Sequence, residues 1–340
     1  MKHITFLFGF IFWLALTACT PPQLPERHFR GGWLTKNDKG LILSQVTKQT
    51  LQTMKSLGIK WIALGPDVHM ENIHKPALSY GLDDNAYKEF ITYATQQGFQ
   101  ITLLPRIESP DFFKPPYPFR ADIEMDNEED WKTFHDNYKQ MIGHYARLSQ
   151  ETGVGMLILG LEYQQSVSQF PESWRAIIKH ARSLYKGKLT YSANWYEEFQ
   201  QVTFWDELDY IGIGAYFELS DGPNTSMLSI MDNWLPIVKT LQKTSEAYNK
   251  PVIFTEVGYT TFEDAAQYPW KWQDDLQRPI SQEQQADCYR ALFRVFANEP
   301  WFDGFFIWRF YTDPSILPAY SYSPANKPAG DVIQRWFMMP

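Results

Sequence analysis

The chain has 340 residues, 44% of them hydrophobic, and carries 31 Lys and Arg against 39 Asp and Glu, a formal net charge of −8. That apolar fraction fills a large core and excludes a disordered chain, while a mean hydropathy of −0.38 excludes a polytopic membrane protein. The acidic balance argues against nucleic acid as a partner, because binding a phosphate backbone needs a basic surface.

The N-terminus reads as a targeting segment. Met1-Lys2-His3 precedes an apolar run from Ile4 to Leu16, and its 13 residues are too few to cross a bilayer, which takes about 20. Leu16-Thr17-Ala18-Cys19 then sets small residues before a cysteine, and Pro21-Pro22 break any continuing helix. The segment resembles a bacterial lipoprotein signal. It implies a signal peptide over residues 1–18, lipidation at Cys19, a tether over 19–30, and a cell-envelope location at the outer membrane of a Gram-negative cell, met only through the lipid. Cys288 is the only other cysteine, so no disulfide framework is available.

From residue 31 onward, eight short apolar, β-rich runs recur: Gly31 to Thr35, Lys60 to Val68, Gln100 to Ile107, Val154 to Tyr163, Leu189 to Trp195, Leu208 to Phe217, Pro251 to Tyr259 and Phe302 to Phe310. They are continuously apolar, as in Tyr210-Ile211-Gly212-Ile213-Gly214-Ala215-Tyr216, which suits parallel strands covered on both faces. Helical periodicity lies between them. Trp131, Phe134, Tyr138, Met141, Ile142 and Tyr145 mark a buried helix face, and another helix is predicted over Ser281 to Asn298. Eight strand-then-helix units predict an α/β fold, a single-domain (β/α)8 TIM barrel over residues 31–340. An open doubly wound sheet lacks its Gly-x-Gly-x-x-Gly after the first strand.

Such a barrel builds its active site at the C-terminal ends of its strands. The fourth run ends Leu159-Gly160-Leu161-Glu162-Tyr163 and the seventh Phe254-Thr255-Glu256-Val257-Gly258-Tyr259. A charge closing an apolar strand is costly unless it faces a cavity or a partner. Opposite strands open on a shared mouth, and two carboxylates about 5–5.5 Å apart are what a retaining glycosidase uses, one as nucleophile and one as acid then base. The other strand ends supply Trp33, Asp67 with His69, Arg106 with Glu108, Asn194 with Trp195, Tyr216, and Trp308 with Arg309; Tyr259 closes the seventh run and Trp270 lies in the loop after it. Aromatic rings cover the flat C–H faces of sugars and polar groups fix their hydroxyls, so these residues are the candidate saccharide-binding set.

Longer segments carry a further signal. In order they are His144-Tyr145-Ala146-Arg147-Leu148, Gly160-Leu161-Glu162-Tyr163, Gly187-Lys188-Leu189-Thr190-Tyr191-Ser192-Ala193-Asn194-Trp195, Phe204-Trp205-Asp206-Glu207-Leu208-Asp209-Tyr210-Ile211-Gly212-Ile213, Ala215-Tyr216-Phe217, and Lys250-Pro251-Val252-Ile253-Phe254-Thr255-Glu256-Val257-Gly258-Tyr259, with Trp308 closing the eighth run. With these the chain resembles clan A of the glycoside hydrolases and, more closely, glycoside hydrolase family 113, whose characterised members degrade β-1,4-mannan. The resemblance implies retaining hydrolysis of a β-linked oligo- or polysaccharide, with Glu162 as acid/base and Glu256 as nucleophile. Three departures imply altered sugar recognition: Leu161 replaces an Asn common in the clan, Gly214 stands where an Asp is expected, and Leu104-Pro105-Arg106 replaces a Lys-Pro-His-like run. The chemistry requires Glu162 protonated near neutral pH, through partial desolvation and the charge of Glu256, and Glu256 ionised, helped by Arg309, Asn194 or Tyr216. A monomer without cofactor or metal is expected.

Other readings are weaker. His69 and His74 flank a loop with Asp67 and Glu71, but their spacing is not a common zinc pattern and a solvated loop explains them. No Gly-x-Ser-x-Gly marks a serine hydrolase. Cys288, beside Tyr289 on the predicted helix, reads as a buried structural thiol. A glycan-binding or scaffolding lipoprotein on a decayed barrel is the rival from another class, against which the retained Glu162 and Glu256 argue. A third reading keeps the chemistry but changes the sugar to a glucan, a galactan or an envelope polysaccharide.

Overall fold

The computed structural model describes residues 29–36, 40–271 and 278–339. Residues 1–28, with the expected signal peptide, Cys19 and most of the expected tether, lie outside the described residues. The elements in chain order are β1 (Phe29–Thr35), α1 (Gln45–Ser56), β2 (Trp61–Leu64), β3 (Asp67–Met70), β4 (Leu78–Ser79), α2 (Asp84–Gln96), β5 (Gln100–Leu103), β6 (Arg106–Glu108), α3 (Glu128–Thr152) and β7 (Met156–Leu161). They continue with α4 (Gln164–Gln169), α5 (Pro171–Leu184), β8 (Lys188–Asn194), α6 (Glu198–Gln201), β9 (Ile211–Gly214), α7 (Met227–Tyr248), β10 (Val252–Val257), α8 (Gln282–Phe296), β11 (Phe302–Tyr311) and α9 (Pro328–Phe337). The first strand begins at Phe29, two residues ahead of the expected boundary.

Eight strands close into a barrel in the order β1, β11, β10, β9, β8, β7, β5, β2, and every adjacent pair is parallel. This is the (β/α)8 fold expected from the eight runs. Two runs, however, are each divided. Pro66 and Pro105 have no N–H to give a ladder, so the second run splits into β2 and β3 and the third into β5 and β6. Beyond the prolines, β3 and β6 leave the barrel and pair with each other, with β4 antiparallel to β3.

The barrel interior is packed solid below the site. Phe29 lies against Trp61, Tyr210 and Phe306 with ring centroids 4.8, 5.1 and 5.5 Å away. Gly31 makes room for this plug, since a Cβ there would fall 2.4 Å from Phe306 Cδ1. Higher in the barrel, Trp33 packs edge-on beneath Trp308 at 5.5 Å. A second apolar layer joins the barrel to its helices, with Tyr138, Trp174, Phe254 and Phe296 wholly buried in it. α3 shows how the sequence sets its ends: Asn127 accepts the Asp130 N–H at 3.0 Å, three acids follow in the first turn, and Gly153 stops the helix with φ of 73°. The predicted face from Trp131 to Tyr145 is buried. α8 starts on the Ser281 cap, and burial pushes its Cys288 thiol up to about 12, which leaves it inert as a nucleophile.

Candidate active site

Three strand ends are in register. Asn194 of β8 pairs with Gly214 of β9, and Gly214 pairs with Glu256 of β10, so the three form one row at the C-terminal rim. β7 is buried along its whole length and stops at Leu161 because Glu162 takes φ of 58°, in the left-handed region that non-glycine residues rarely adopt. The Glu162 N–H still donates to Ser192 O at 2.9 Å. Gly214 leaves the carboxyl its space, since a Cβ there would lie 3.3 Å from Glu162 Oε1. Glu256 is 7% exposed and its Oε2 accepts the Tyr216 hydroxyl at 3.0 Å. Its neighbour Thr255 is pinned twice, its carbonyl by the Trp33 indole N–H at 2.7 Å and its hydroxyl by Ser192 Oγ at 2.6 Å.

The two glutamates open into one cavity of about 850 Å³. Withdrawal from water raises Glu162 to about 8, with the charge of Glu256 adding to the rise and Arg120 opposing it. Glu256 is also raised by burial, but Arg106, the Tyr216 hydroxyl, Arg120 and Arg309 all act to keep it ionised. The pair is therefore asymmetric. Burial, with the charge of Glu256 and only Arg120 opposing, favours a proton on Glu162, while three cations and a phenol favour the anion on Glu256.

Aromatic walls flank the carboxylates. Trp195 stacks on Trp270 at 5.7 Å and meets Tyr216 edge-on at 5.5 Å, and Trp308 lines the same space. Among the described residues, the buried Trp195 Nε1 has no hydrogen-bond partner. Asn194 spends its Oδ1 on the Tyr196 N–H at 2.8 Å, which leaves its amide NH₂ as the group it offers. The facing wall carries Phe113, Tyr117 and Phe119, all exposed, with Arg120 beneath.

Of the candidate binding residues, Arg106, Glu108, Asn194, Trp195, Tyr216, Trp270, Trp308 and Arg309 line this cavity with Glu162 and Glu256. Asp67 does not. It lies in an adjoining cavity of about 1110 Å³ that shares Arg106, Glu108 and Phe113 with the first. There it takes part in an alternating chain of charges, Asp83, Lys36, Asp67, Arg106, Glu108 and Arg120, with successive contacts of 3.1, 2.9, 3.8, 3.5 and 2.7 Å. Trp33 is also off the cavity, one layer below it and 1% exposed. Tyr259 points out of the barrel and packs edge-on against Tyr289 of α8 at 5.2 Å. Reading the sequence missed Phe113, Tyr117, Phe119 and Arg120. The signal was present in Ser109 to Asp122, where four aromatics and four prolines stand in a polar loop directly after a strand end. Asp67 and His69, expected in a solvated loop, lie instead on β3, paired to β6, while Glu71 and His74 follow in the loop; His69, Glu71 and His74 are all exposed.

The wall makes its own forecast. Trp270 is 36% exposed and held by Trp195, so Trp270→Ala removes stacking area without touching the carboxylates. The loss of roughly 1–2 kcal/mol of binding should raise KM about 5- to 30-fold with kcat little changed, and steady-state kinetics on an oligosaccharide series checks it.

A sequence model described as Glycoside Hydrolase Family 113 matches residues 32–326. Among solved structures, the chain is similar to the GH113 β-mannanase AaManA from Alicyclobacillus acidocaldarius in complex with ManMIm, at 26% identity and a TM-score of 0.79, over 91% of this chain and 96% of that one. A GH113 β-1,4-mannanase matches at 24% identity and a TM-score of 0.78, over 93% and 100% of the two chains. A Faecalibacterium prausnitzii β-glucuronidase shares the fold at 16% identity and a TM-score of 0.59, over 92% of this chain and 49% of that one. No curated protein matches the chain in sequence.

Proposed function

The chain belongs to glycoside hydrolase family 113, and on that premise we propose that it hydrolyses β-1,4-mannan or manno-oligosaccharides with retention of anomeric configuration. Glu256 attacks the anomeric carbon while Glu162 gives its proton to the departing glycosidic oxygen. Glu162, now ionised, then takes a proton from a water that cleaves the glycosyl ester and frees Glu256. The observation that carries this reading is the asymmetric pair in one aromatic-walled cavity, with Glu162 raised to about 8 and Glu256 held by Tyr216 and three arginines. Mannan is the favoured substrate because β-mannanases of the same family match the whole barrel.

The decisive experiment follows a β-1,4-manno-oligosaccharide by proton NMR as the enzyme acts. The β-anomer should appear first and mutarotate later. An α-anomer appearing first would refute the double displacement, and retention of the glycan without new reducing ends would favour a glycan-binding protein instead.

A further inference from the structure

Glu198 is a wholly buried carboxyl at the start of α6, four residues past Asn194 and outside the cavity lining. A charge so placed is expensive unless its oxygens find donors, and each of these takes one. Oε2 accepts the Asn194 backbone N–H at 2.6 Å and Oε1 accepts the Tyr191 hydroxyl at 2.6 Å. The Tyr191 oxygen in turn accepts the Tyr163 N–H at 2.7 Å. That last N–H belongs to the peptide leaving Glu162, the residue in the left-handed conformation. The chain is brought back to make these contacts by a second positive-φ residue, Glu197, with φ of 60° and ψ of −35°, the centre of a tight γ-turn in which the Glu198 N–H donates to Tyr196 O at 2.6 Å. Two strained positions thus bracket one hydrogen-bond path, and such positions persist only where surrounding contacts over-determine them.

We propose that Glu198 is a positioning residue for Glu162: through Tyr191 it fixes the Glu162–Tyr163 peptide, and through the Asn194 N–H it fixes the adjoining strand end, so that the Glu162 carboxyl is held where it must pass its proton. This rests on the reading of Glu162 as acid/base. Glutamine cannot take over the role. Its one carbonyl oxygen must face the Asn194 N–H, which only donates, so its NH₂ faces Tyr191. The tyrosine oxygen then receives two donors while its own O–H loses its acceptor. Tyr191→Phe cuts the same path from the other side and leaves the Glu198 carboxyl in place with its bond from the Asn194 N–H; a through-space effect of the Glu198 charge on Glu162 would instead show as a shift of the alkaline limb of kcat/KM, which positioning leaves where it is.

The test compares wild type, Glu198→Gln, Tyr191→Phe, the double variant and Glu162→Ala on two substrates. One is a manno-oligosaccharide, whose leaving group needs a proton. The other is a 2,4-dinitrophenyl β-mannoside, whose leaving group does not. A 1 Å misplacement costs on the order of 100-fold, so each single variant should lose about 10- to 100-fold in kcat/KM on the oligosaccharide, chiefly in kcat. On the aryl glycoside the loss in kcat/KM, which covers only formation of the glycosyl ester and so omits the base-assisted second step, should stay below about threefold because that leaving group needs no general acid. The double variant should be no worse than the more severe single one, as expected for two parts of one path. Equal losses on both substrates, or losses that multiply in the double variant, overturn the proposal. If Glu198→Gln does not fold, the ratio between the two substrates for Tyr191→Phe decides alone. If Glu162→Ala loses both substrates equally, the acid/base reading fails and this proposal with it; if Glu162→Ala discriminates and the Glu198 and Tyr191 variants do not, only the positioning role is lost.

Discussion

Glu256→Gln is expected to lower kcat on β-1,4-manno-oligosaccharides by roughly 10⁴–10⁶-fold, the scale on which enzymes respond to loss of their nucleophile. The amide keeps the volume of the carboxylate, and its oxygen can still accept the Tyr216 hydroxyl that now meets Oε2, so the fold should stand and thermal melting should show it. Loss of the charge also acts on the partner. Withdrawal from water is the larger cause of the raised Glu162 value and stays in place, while the repulsion from Glu256 disappears. A ¹³C-carboxyl NMR titration should therefore place Glu162 below its wild-type value of about 8 yet above an ordinary 4.5. A variant that turns over near the wild-type rate would sink the nucleophile assignment.

Glu162→Gln comes next, with an expected loss of roughly 10²–10⁴-fold in kcat on oligosaccharides, the contribution of a positioned general acid. In the wild type the acid form disappears as pH rises through about 8, so kcat/KM should fall on that alkaline limb. Stability should move in the same direction. The folded state holds the Glu162 proton where the unfolded chain, near 4.5, has already released it, so the favourable contribution is complete below 4.5 and is lost as pH rises through about 8. Glu198, raised to about 7 by burial, loses its share over a window ending lower. Melting temperatures recorded across this range should decline in the wild type and decline less in Glu162→Gln. An equal decline in both would show that Glu162 is not raised.

The barrel was legible because its physics is local and repeated: each strand is a continuous apolar run, and eight of them leave few architectures. The glutamates were legible for the opposite reason, as charges at the ends of those runs. Depth and direction were not. Trp33 does face the barrel interior, but an alternating pattern says which side a residue takes and not how far below the mouth it sits, and Trp308 covers it. Tyr259 lies beyond the last residue of β10, where strand alternation no longer governs, and it turns to Tyr289. Asp67 follows Pro66 out of the barrel into the small sheet, which takes it to the neighbouring cavity. Glu198 was illegible altogether. Its neighbours in sequence are an unremarked polar turn, and its meaning comes from Tyr191 and Asn194, which only the fold sets around it.

The left-handed backbone at Glu162 has a consequence on an evolutionary timescale. Glutamate is held there against both its conformational preference and its charge, whereas glycine adopts that backbone freely and brings no carboxyl to bury. A single base change converts a glutamate codon into a glycine codon. In a lineage released from selection for hydrolysis, this one step removes the acid/base and relieves the strain together, so it gains in folding what it gives up in chemistry. The barrel and its aromatic walls would survive intact. Paralogues of this chain that have turned from cutting glycans to holding them should carry their first lesion at this position.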